Sequence, residues 1–306
     1  MTPPIYTLTG NLLAERTLEY GDWAVGRTQR ALRESFNARG KGVNVSNMLR
    51  RLGTASTALI FAGGPAGAEC EAWLRERGLT YTAFPTLGSS RTGTVIWSDR
   101  QPETTFLGPD VPPDAAAVQA CADYLSARPD GGVLVLCGSF PGWADPVFGS
   151  LRAAIQNWAR RGELWADVYG PPLQWVCEQP ATLVKINRQE FDGLFTTDRQ
   201  VLSVPQRLQE LRQVGKVQQW IVSDGPDSLW MLDRDAPPRE LVPPRIREVS
   251  PTGSGDVLLA AILHAVLGLR LPLGEAVTFA LPYAAANAAH PGVADFELPP
   301  RFALHG

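Results

Sequence analysis

One carboxylate in this chain stands beside a turn built for anions. Asp256 follows Thr252-Gly253-Ser254-Gly255, and the apolar run Val257–Leu269 follows Asp256. An alternating segment, Leu241 to Val249, precedes the turn. Strand, glycine turn and helix together make an anion site, because the first N–H groups of a helix lack internal partners and the dipole there is positive. Glycine lets backbone approach a phosphate closely and take φ > 0. A carboxylate placed there repels the anion unless it has a task of its own. It can accept the proton of an attacking hydroxyl while the amides of Gly253, Ser254 and Gly255 hold a transferring phosphoryl group. Helix capping by Thr, Ser and Asp explains the same residue types. On this stretch alone the two readings stand level.

Other polar groups shift the balance. Gly40-Lys41-Gly42-Val43-Asn44 is rich in glycine but does not fit G-x-x-x-x-G-K-[ST]. Gly63-Gly64-Pro65-Ala66-Gly67 does not fit the dinucleotide fingerprint, and a proline occupies its turn. Each reads by itself as a tight turn into a helix. Arg91 lies in a Ser-Ser-Arg-Thr-Gly turn, where an exposed arginine is ordinary. Asn187-Arg188-Gln189-Glu190 is a capping box, or an amide and a carboxylate holding water around Mg²⁺. What joins these groups is position. Gly63-Gly64, Gly138-Ser139, Asp167, Lys185 with Asn187, Ser223 with Gly225, and the Thr252–Asp256 turn all fall at the ends of expected strands. Ligands of open α/β sheets collect there.

The elements that must hold them follow an α/β alternation. Ile5–Thr9 is expected as a first strand, with a helix from Gly40 through Leu52, a strand at Thr57–Ala62 and a helix at Ala66–Arg77. After Pro112 the rhythm runs helix, strand (Gly132–Cys137), helix (Asp145–Arg160), strand (Leu164–Val168), helix, strand (Thr182–Lys185), with Gln219–Ser223 further on. Leu229–Leu232 and Leu241–Val249 look antiparallel, and Leu273–Ala289 is a closing helix. Two regions break the pattern. Arg16–Tyr20 and Arg27–Phe36, separated by a Gly21-Asp22 turn, and Tyr81–Phe84, Gly93–Trp97 and Glu103–Leu107 are strands without helices between them. They suggest a small antiparallel sheet acting as a lid, with segments from about 11–36 and 81–107 inserted in one domain spanning 1–306.

Bulk properties exclude several classes. The chain has 306 residues, 28 basic against 31 acidic, and a formal net charge of −3. That leaves no basic footprint for nucleic acid or an anionic membrane. Hydrophobic content of 44% and charged content of 19% fit a globular protein with a sizeable core. No apolar run is long enough to span a bilayer, and MTPPIYTLTGN lacks the pattern of a signal peptide, so a cytoplasmic location is expected. The four cysteines are scattered and read as buried free thiols.

Together the pieces resemble a known family. Ser250-Pro251-Thr252-Gly253-Ser254-Gly255-Asp256 with Ala260-Ala261-Ile262 resembles the C-terminal signature of the ribokinase-like (PfkB) carbohydrate kinases, and Asn187-x-x-Glu190 resembles their magnesium-associated motif. Ile5-Tyr6-Thr7 with Asn11, Gly40-Lys41-Gly42-Val43-Asn44-Val45-Ser46, Gly138-Ser139-Phe140-Pro141 and Val184-Lys185-Ile186-Asn187-Arg188 are similar to the 1-phosphofructokinase and tagatose-6-phosphate kinase branch. The resemblance implies a three-layer α/β/α fold with a mostly parallel sheet and a small β-sheet lid. It implies ATP and Mg²⁺, and a sugar or sugar phosphate as acceptor. Asp256 would be the base and Gly253, Ser254 and Gly255 the anion hole. Lys185, Ser223, Gly225 and Thr252 would lie along the nucleotide, with Asn187 and Glu190 organising Mg²⁺ through water. Glu15, Arg39, Gly40, Lys41, Asn44, Arg91 and Ser139 would face the acceptor, Lys41 and Arg91 neutralising a phosphate it carries.

Departures fall on the acceptor side. Glu15 stands where the branch usually has Asp, Arg39 replaces the first of two glycines, Gly93 stands where Asn is common, and the segment before Gly108-Pro109 lacks its usual polar residue. The phosphoryl-transfer side is intact. An unphosphorylated sugar or nucleoside as acceptor, or a non-catalytic sugar-phosphate-binding role, are the alternatives. The lid strands could equally pair across a two-fold axis in a homodimer.

Overall fold

The computed structural model describes residues 2–98 and 100–299. β1 (Ile5–Thr9) leads into β2 (Leu13–Tyr20) and β3 (Arg33–Arg39), then α1 (Lys41–Leu52), β4 (Thr57–Ala62), α2 (Gly64–Glu76) and β5 (Tyr81–Pro85). β6 (Arg91–Ser98) and β7 (Thr104–Leu107) follow. Alternation then resumes through α3 (Ala115–Ser126), β8 (Val133–Gly138), α4 (Gly149–Arg161), β9 (Glu163–Val168), α5 (Pro171–Cys177), β10 (Leu183–Asn187), α6 (Arg188–Asp192), α7 (Val204–Val214) and β11 (Gln219–Asp224). β12 (Ser228–Leu232), β13 (Arg239–Leu241), α8 (Ser254–Leu263) and α9 (Leu273–Ala288) complete the described elements.

Nine strands form the main sheet in the order β13-β12-β11-β10-β9-β8-β1-β4-β5. It is parallel from β11 to β5 and antiparallel only at β12 and β13. β8 shows why both faces are covered. Its Leu134 and Leu136 enter the core beneath α3, α4, α5 and α7, while Val133, Val135 and Cys137 enter the core beneath α1, α8 and α9. A central strand buried on both faces must be apolar at every position, as VLVLC is. α8 is apolar all round because it packs between α1, α9 and the sheet. After β1 the strand order proceeds outward through β4 and β5. From β8 it proceeds outward on the other side, so the crevice between β1 and β8 lies where the order reverses.

The second sheet has the order β3-β2-β6-β7. It is mixed rather than antiparallel, since β2 and β6 pair parallel over Leu13–Tyr20 and Arg91–Ser98. Tyr81–Phe84, expected in the lid, is instead β5 at the edge of the main sheet, parallel to β4. β1 and β5 run parallel there, and each passes into a lid strand, so the chain leaves the sheet in the same direction at both. β3 begins at Arg33, not Arg27, and β2 and β3 are joined by a long connection rather than a tight turn at Gly21-Asp22. β13 ends at Leu241. Of the expected strand Leu241–Val249 only Leu241 is in a strand; Pro243-Pro244 cannot donate ladder hydrogen bonds, and residues 242–251 approach the Thr252–Asp256 turn as irregular chain. All four cysteines are free; three are buried and Cys177 is half-buried.

Candidate functional site

The Thr252–Asp256 turn sits at the start of α8 as the glycine spacing requires. Gly253 has φ +73, and any side chain there would collide with Val293. A Cβ at Gly255 would fall 2.5 Å from Lys185 Nζ, so glycine lets a lysine ammonium press against the helix start. Asp256, in the first turn, is 5% exposed. Asn44 Nδ2, one turn into α1, donates to its Oδ2 at 2.7 Å.

Behind the turn lies an ionic cluster centred on Asp167 at the end of β9. This fully buried carboxylate accepts from Lys41 Nζ and Lys185 Nζ, both at 2.6 Å. Burial opposes its ionisation, but the two lysines outweigh that and hold it below the usual carboxylate range. Burial likewise pulls Lys41 down, and the charges of Asp167, Glu190 and Asp256 more than offset it, leaving the ammonium above its ordinary value. Asp256 is pushed up to about 6, first by burial and then by the charge of Asp167, against the opposing pull of Lys41, the Asn44 hydrogen bond and Lys185. A carboxyl of that affinity is ionised at neutral pH and still holds a proton well, which suits a general base.

Two cavities meet around Lys41, Asn44 and Thr252. The larger, about 550 Å³, includes Lys185, Asn187, Ser223, Gly225 and the whole Thr252–Asp256 turn among its walls, with Pro243, Pro244 and Ile246 on an apolar side. The smaller, about 170 Å³, is bounded by Glu15, Arg39, Gly40, Arg91 and Ser139. Every expected site residue thus borders one cavity or the other except Glu190. That residue stands behind them, its Oε1 3.4 Å from Lys41 Nζ. Asn187 and Glu190 form the capping box, with Glu190 N–H donating to Asn187 Oδ1 at 2.8 Å and Asn187 N–H to Glu190 Oε2 at 2.9 Å.

Partners of the acceptor-side residues differ from the simple expectation. Glu15 and Arg39 do not project separately into the cavity. They form a buried ion pair at 3.0 Å, and Arg39 Nη1 also donates to the Val293 carbonyl at 3.3 Å. Arg91 is the first residue of β6 rather than part of a free turn, and it pairs with Asp110 at 2.9 Å. Asp110 Oδ1 also accepts from Asn11 Nδ2 at 2.8 Å, and the same amide reaches Ser139 Oγ at 3.1 Å. The lid touches the turn directly, since Thr252 Oγ1 donates to Glu103 Oε1 at 2.8 Å.

Sequence reasoning placed Asp167 at a strand end without giving it a role, although a carboxylate inside the apolar segment LWADV is itself a signal. Asp110, Glu103, Asn287 and Val293 carried no local signal; only their contacts reveal them.

A three-layer α/β/α fold with a strand lid, and a buried carboxylate in a helix start on the wall of the larger of two adjoining cavities, is the framework of a group-transfer enzyme. The pfkB family carbohydrate kinase model matches residues 16–300, and the chain belongs to that family. It is a phosphotransferase with an alcohol acceptor, and ATP is the co-substrate of its family. It is 27% identical to the 1-phosphofructokinase of Bacillus subtilis over 288 residues, covering 93% of this chain and 92% of that one. It is 29% identical to the D-tagatose-1-phosphate kinase of Bacillus licheniformis over 290 residues, covering 92% and 90%. Phosphofructokinase-2 from Escherichia coli in complex with fructose-6-phosphate superposes with a TM-score of 0.82 at 21% identity over 94% of both chains, a likeness of fold. Among the described residues no helix is long and apolar enough to cross a membrane.

Proposed function

We propose that this chain transfers the γ-phosphoryl group of ATP to a hydroxyl of a ketohexose phosphate, with Asp256 as the base. The observation that carries this reading is the place of Asp256: buried, proton-hungry, in the helix start on the wall of the larger cavity, and hydrogen-bonded to Asn44, which borders both cavities. ATP would lie in the larger cavity, its base against Pro243, Pro244 and Ile246, with Ser223, Gly225, Lys185 and Thr252 along it. The acceptor would lie in the smaller one. Asn44 orients the carboxylate through Oδ2 and leaves Oδ1 for the acceptor hydroxyl. As oxygen attacks phosphorus, that hydroxyl proton passes to Asp256, and the amides of Gly253, Ser254 and Gly255 hold the charge on the transferring group. ADP leaves, and Asp256 returns the proton to solvent.

Mg²⁺ fits this site only through water. Asn187 Oδ1 and Glu190 Oε2 each accept from the other's backbone N–H, Glu190 Oε1 faces Lys41, and Asp167 holds two lysines, so no bare carboxylate cage offers itself among the described residues. A cation that prefers phosphate oxygens and water suits such a wall, and it would neutralise phosphate charge. The exposed edges of the lid, with Leu32, Phe106 and Leu107 bare, support a homodimer formed through those strands, and a cytoplasmic location accords with the metabolism of sugar phosphates.

The acceptor's phosphate has a competitor. Arg91 is already met by Asp110, and Lys41 by Asp167 and Glu190, which favours an unphosphorylated acceptor as the second reading. The names of the relatives favour the phosphate. A coupled ADP-release assay across ketohexoses and their 1- and 6-phosphates decides. Turnover of a phosphate is expected, and Arg91→Ala should raise its KM about tenfold or more while leaving that of the parent sugar unchanged. Turnover of parent sugars alone, indifferent to Arg91→Ala, would establish the second reading.

A further inference from the structure

One side chain that lines neither cavity joins the Thr252–Asp256 turn to the segment behind the acceptor wall. Asn287, near the end of α9, is 0% exposed. Its Nδ2 donates to the Thr252 carbonyl at 2.9 Å and is 3.0 Å from Ser254 Oγ, while its Oδ1 accepts from Ala294 N–H at 2.8 Å. The amide can sit only this way round, because the reverse would aim its oxygen at a carbonyl and its NH₂ at an N–H. Ala294 holds φ +51, a left-handed conformation that costs an alanine energy and persists only where surroundings enforce it. Its neighbour Val293 packs against Gly253 and accepts from Arg39, the partner of Glu15. A continuous path therefore runs from the Glu15–Arg39 pair through Val293 and Ala294 to Asn287, and from there to both sides of Gly253.

We propose that Asn287 is a positioning residue that fixes the anion turn at the distance from the acceptor wall which phosphoryl transfer needs. The inference rests on the kinase reading above. Turn amides stabilise charge only if they are held where it develops, and a shift of about 1 Å can cost about a hundredfold. A four-residue glycine turn cannot hold itself so firmly, since glycine adds backbone freedom. Asn287 supplies the anchor from outside, and it uses separate atoms for the two tasks: Nδ2 for the turn and Oδ1 for the Val293–Ala294 segment.

That division gives the test. Asn287→Asp keeps the acceptor oxygen for Ala294 but removes both N–H donors, so it should lower kcat about a hundredfold while acceptor KM stays within about threefold. Without turnover, titration calorimetry should find ADP binding unchanged and the preference for ATP over ADP reduced. Asn287→Ala, which releases both sides, should also raise acceptor KM. Should Asn287→Asp fail to give a folded protein by circular dichroism, Ser254→Ala removes one anchor point alone and should lower kcat about fivefold at unchanged KM. A folded Asn287→Asp with kcat and ATP-to-ADP preference like the wild type overturns the proposal, as does an unchanged kcat in Ser254→Ala. Failure of the wild type to phosphorylate any sugar would overturn the kinase reading instead, and the ATP-to-ADP comparison would still decide the role of Asn287.

Discussion

The two cavities are built by different means. In the larger cavity, the proposed donor site, the atoms assigned to hold phosphate are backbone amides of Gly253, Ser254 and Gly255, backed by Asp167 pinned between two lysines. They stand on helix starts and strand ends of the main sheet, whose geometry repeats wherever a strand turns into a helix. On the acceptor side the groups are side chains from separated segments: Asn11, Glu15, Arg39, Arg91 and Ser139. They stand largely on the lid and are tied to one another by Glu15–Arg39 and the Asn11–Asp110–Arg91 contacts. A backbone site tolerates changes of side chain so long as its glycines remain. A side-chain site can be re-cut by one substitution, so change should gather on the acceptor side, where this chain departs from the branch it resembles.

The sharpest test of this contrast is Asp256→Asn. Loss of the proposed base should lower kcat about a thousandfold or more, while calorimetric ATP affinity stays within about twofold. The same change should raise Tm by a few degrees near pH 8. A carboxyl lifted to about 6 by the fold binds its proton more tightly folded than unfolded, so its contribution is favourable at low pH and is lost as pH rises from about 4 through about 6. Above that range the charged form opposes folding by about 3 kcal/mol, which Asn removes. Undiminished kcat would remove Asp256 from the chemistry.

Next in size is Arg39→Ala. It leaves Glu15 charged and buried, and should cost about 3 kcal/mol in chemical denaturation as well as raising acceptor KM. The double change Glu15→Gln with Arg39→Met should recover most of the stability but not the KM. Recovery of both would make the pair structural. In the wild type, kcat/KM should fall about tenfold for each pH unit below about 6 as Asp256 takes up its proton, and Asp256→Glu should displace that limb. The smallest effect belongs to Glu103→Ala. Losing one lid contact to Thr252 should raise acceptor KM, or ATP hydrolysis without acceptor, about fivefold.

Much of the fold was legible because its signals are local. VLVLC can only be a strand covered on both faces, and glycine spacing with a following apolar run marks the start of α8. The lid was legible as strands but not in its membership or pairing, since Tyr81–Phe84 joined the main sheet instead. Nothing in Leu13–Tyr20 or Arg91–Ser98 announces a parallel partner, which follows from the directions of β1 and β5. Pro243-Pro244 did announce the end of a strand, and the alternation around it was misleading.

For the candidate site, residue types and strand-end positions in the sequence pointed to Asp256, the Thr252–Asp256 turn, Lys185, the Asn187–Glu190 box and Lys41, all but Glu190 of which the fold brings to the walls of two adjoining cavities. Each of these signals is carried by a few adjacent residues whose backbone conformation their own chemistry dictates. Tertiary structure decided the partners: Asn44 on Asp256, Asp167 between Lys41 and Lys185, Arg39 on Glu15 and Asn287 on the turn. Those pairs join positions 18 to 212 residues apart. Chain folding alone brings them within reach, and burial then makes each charge and each hydrogen bond matter.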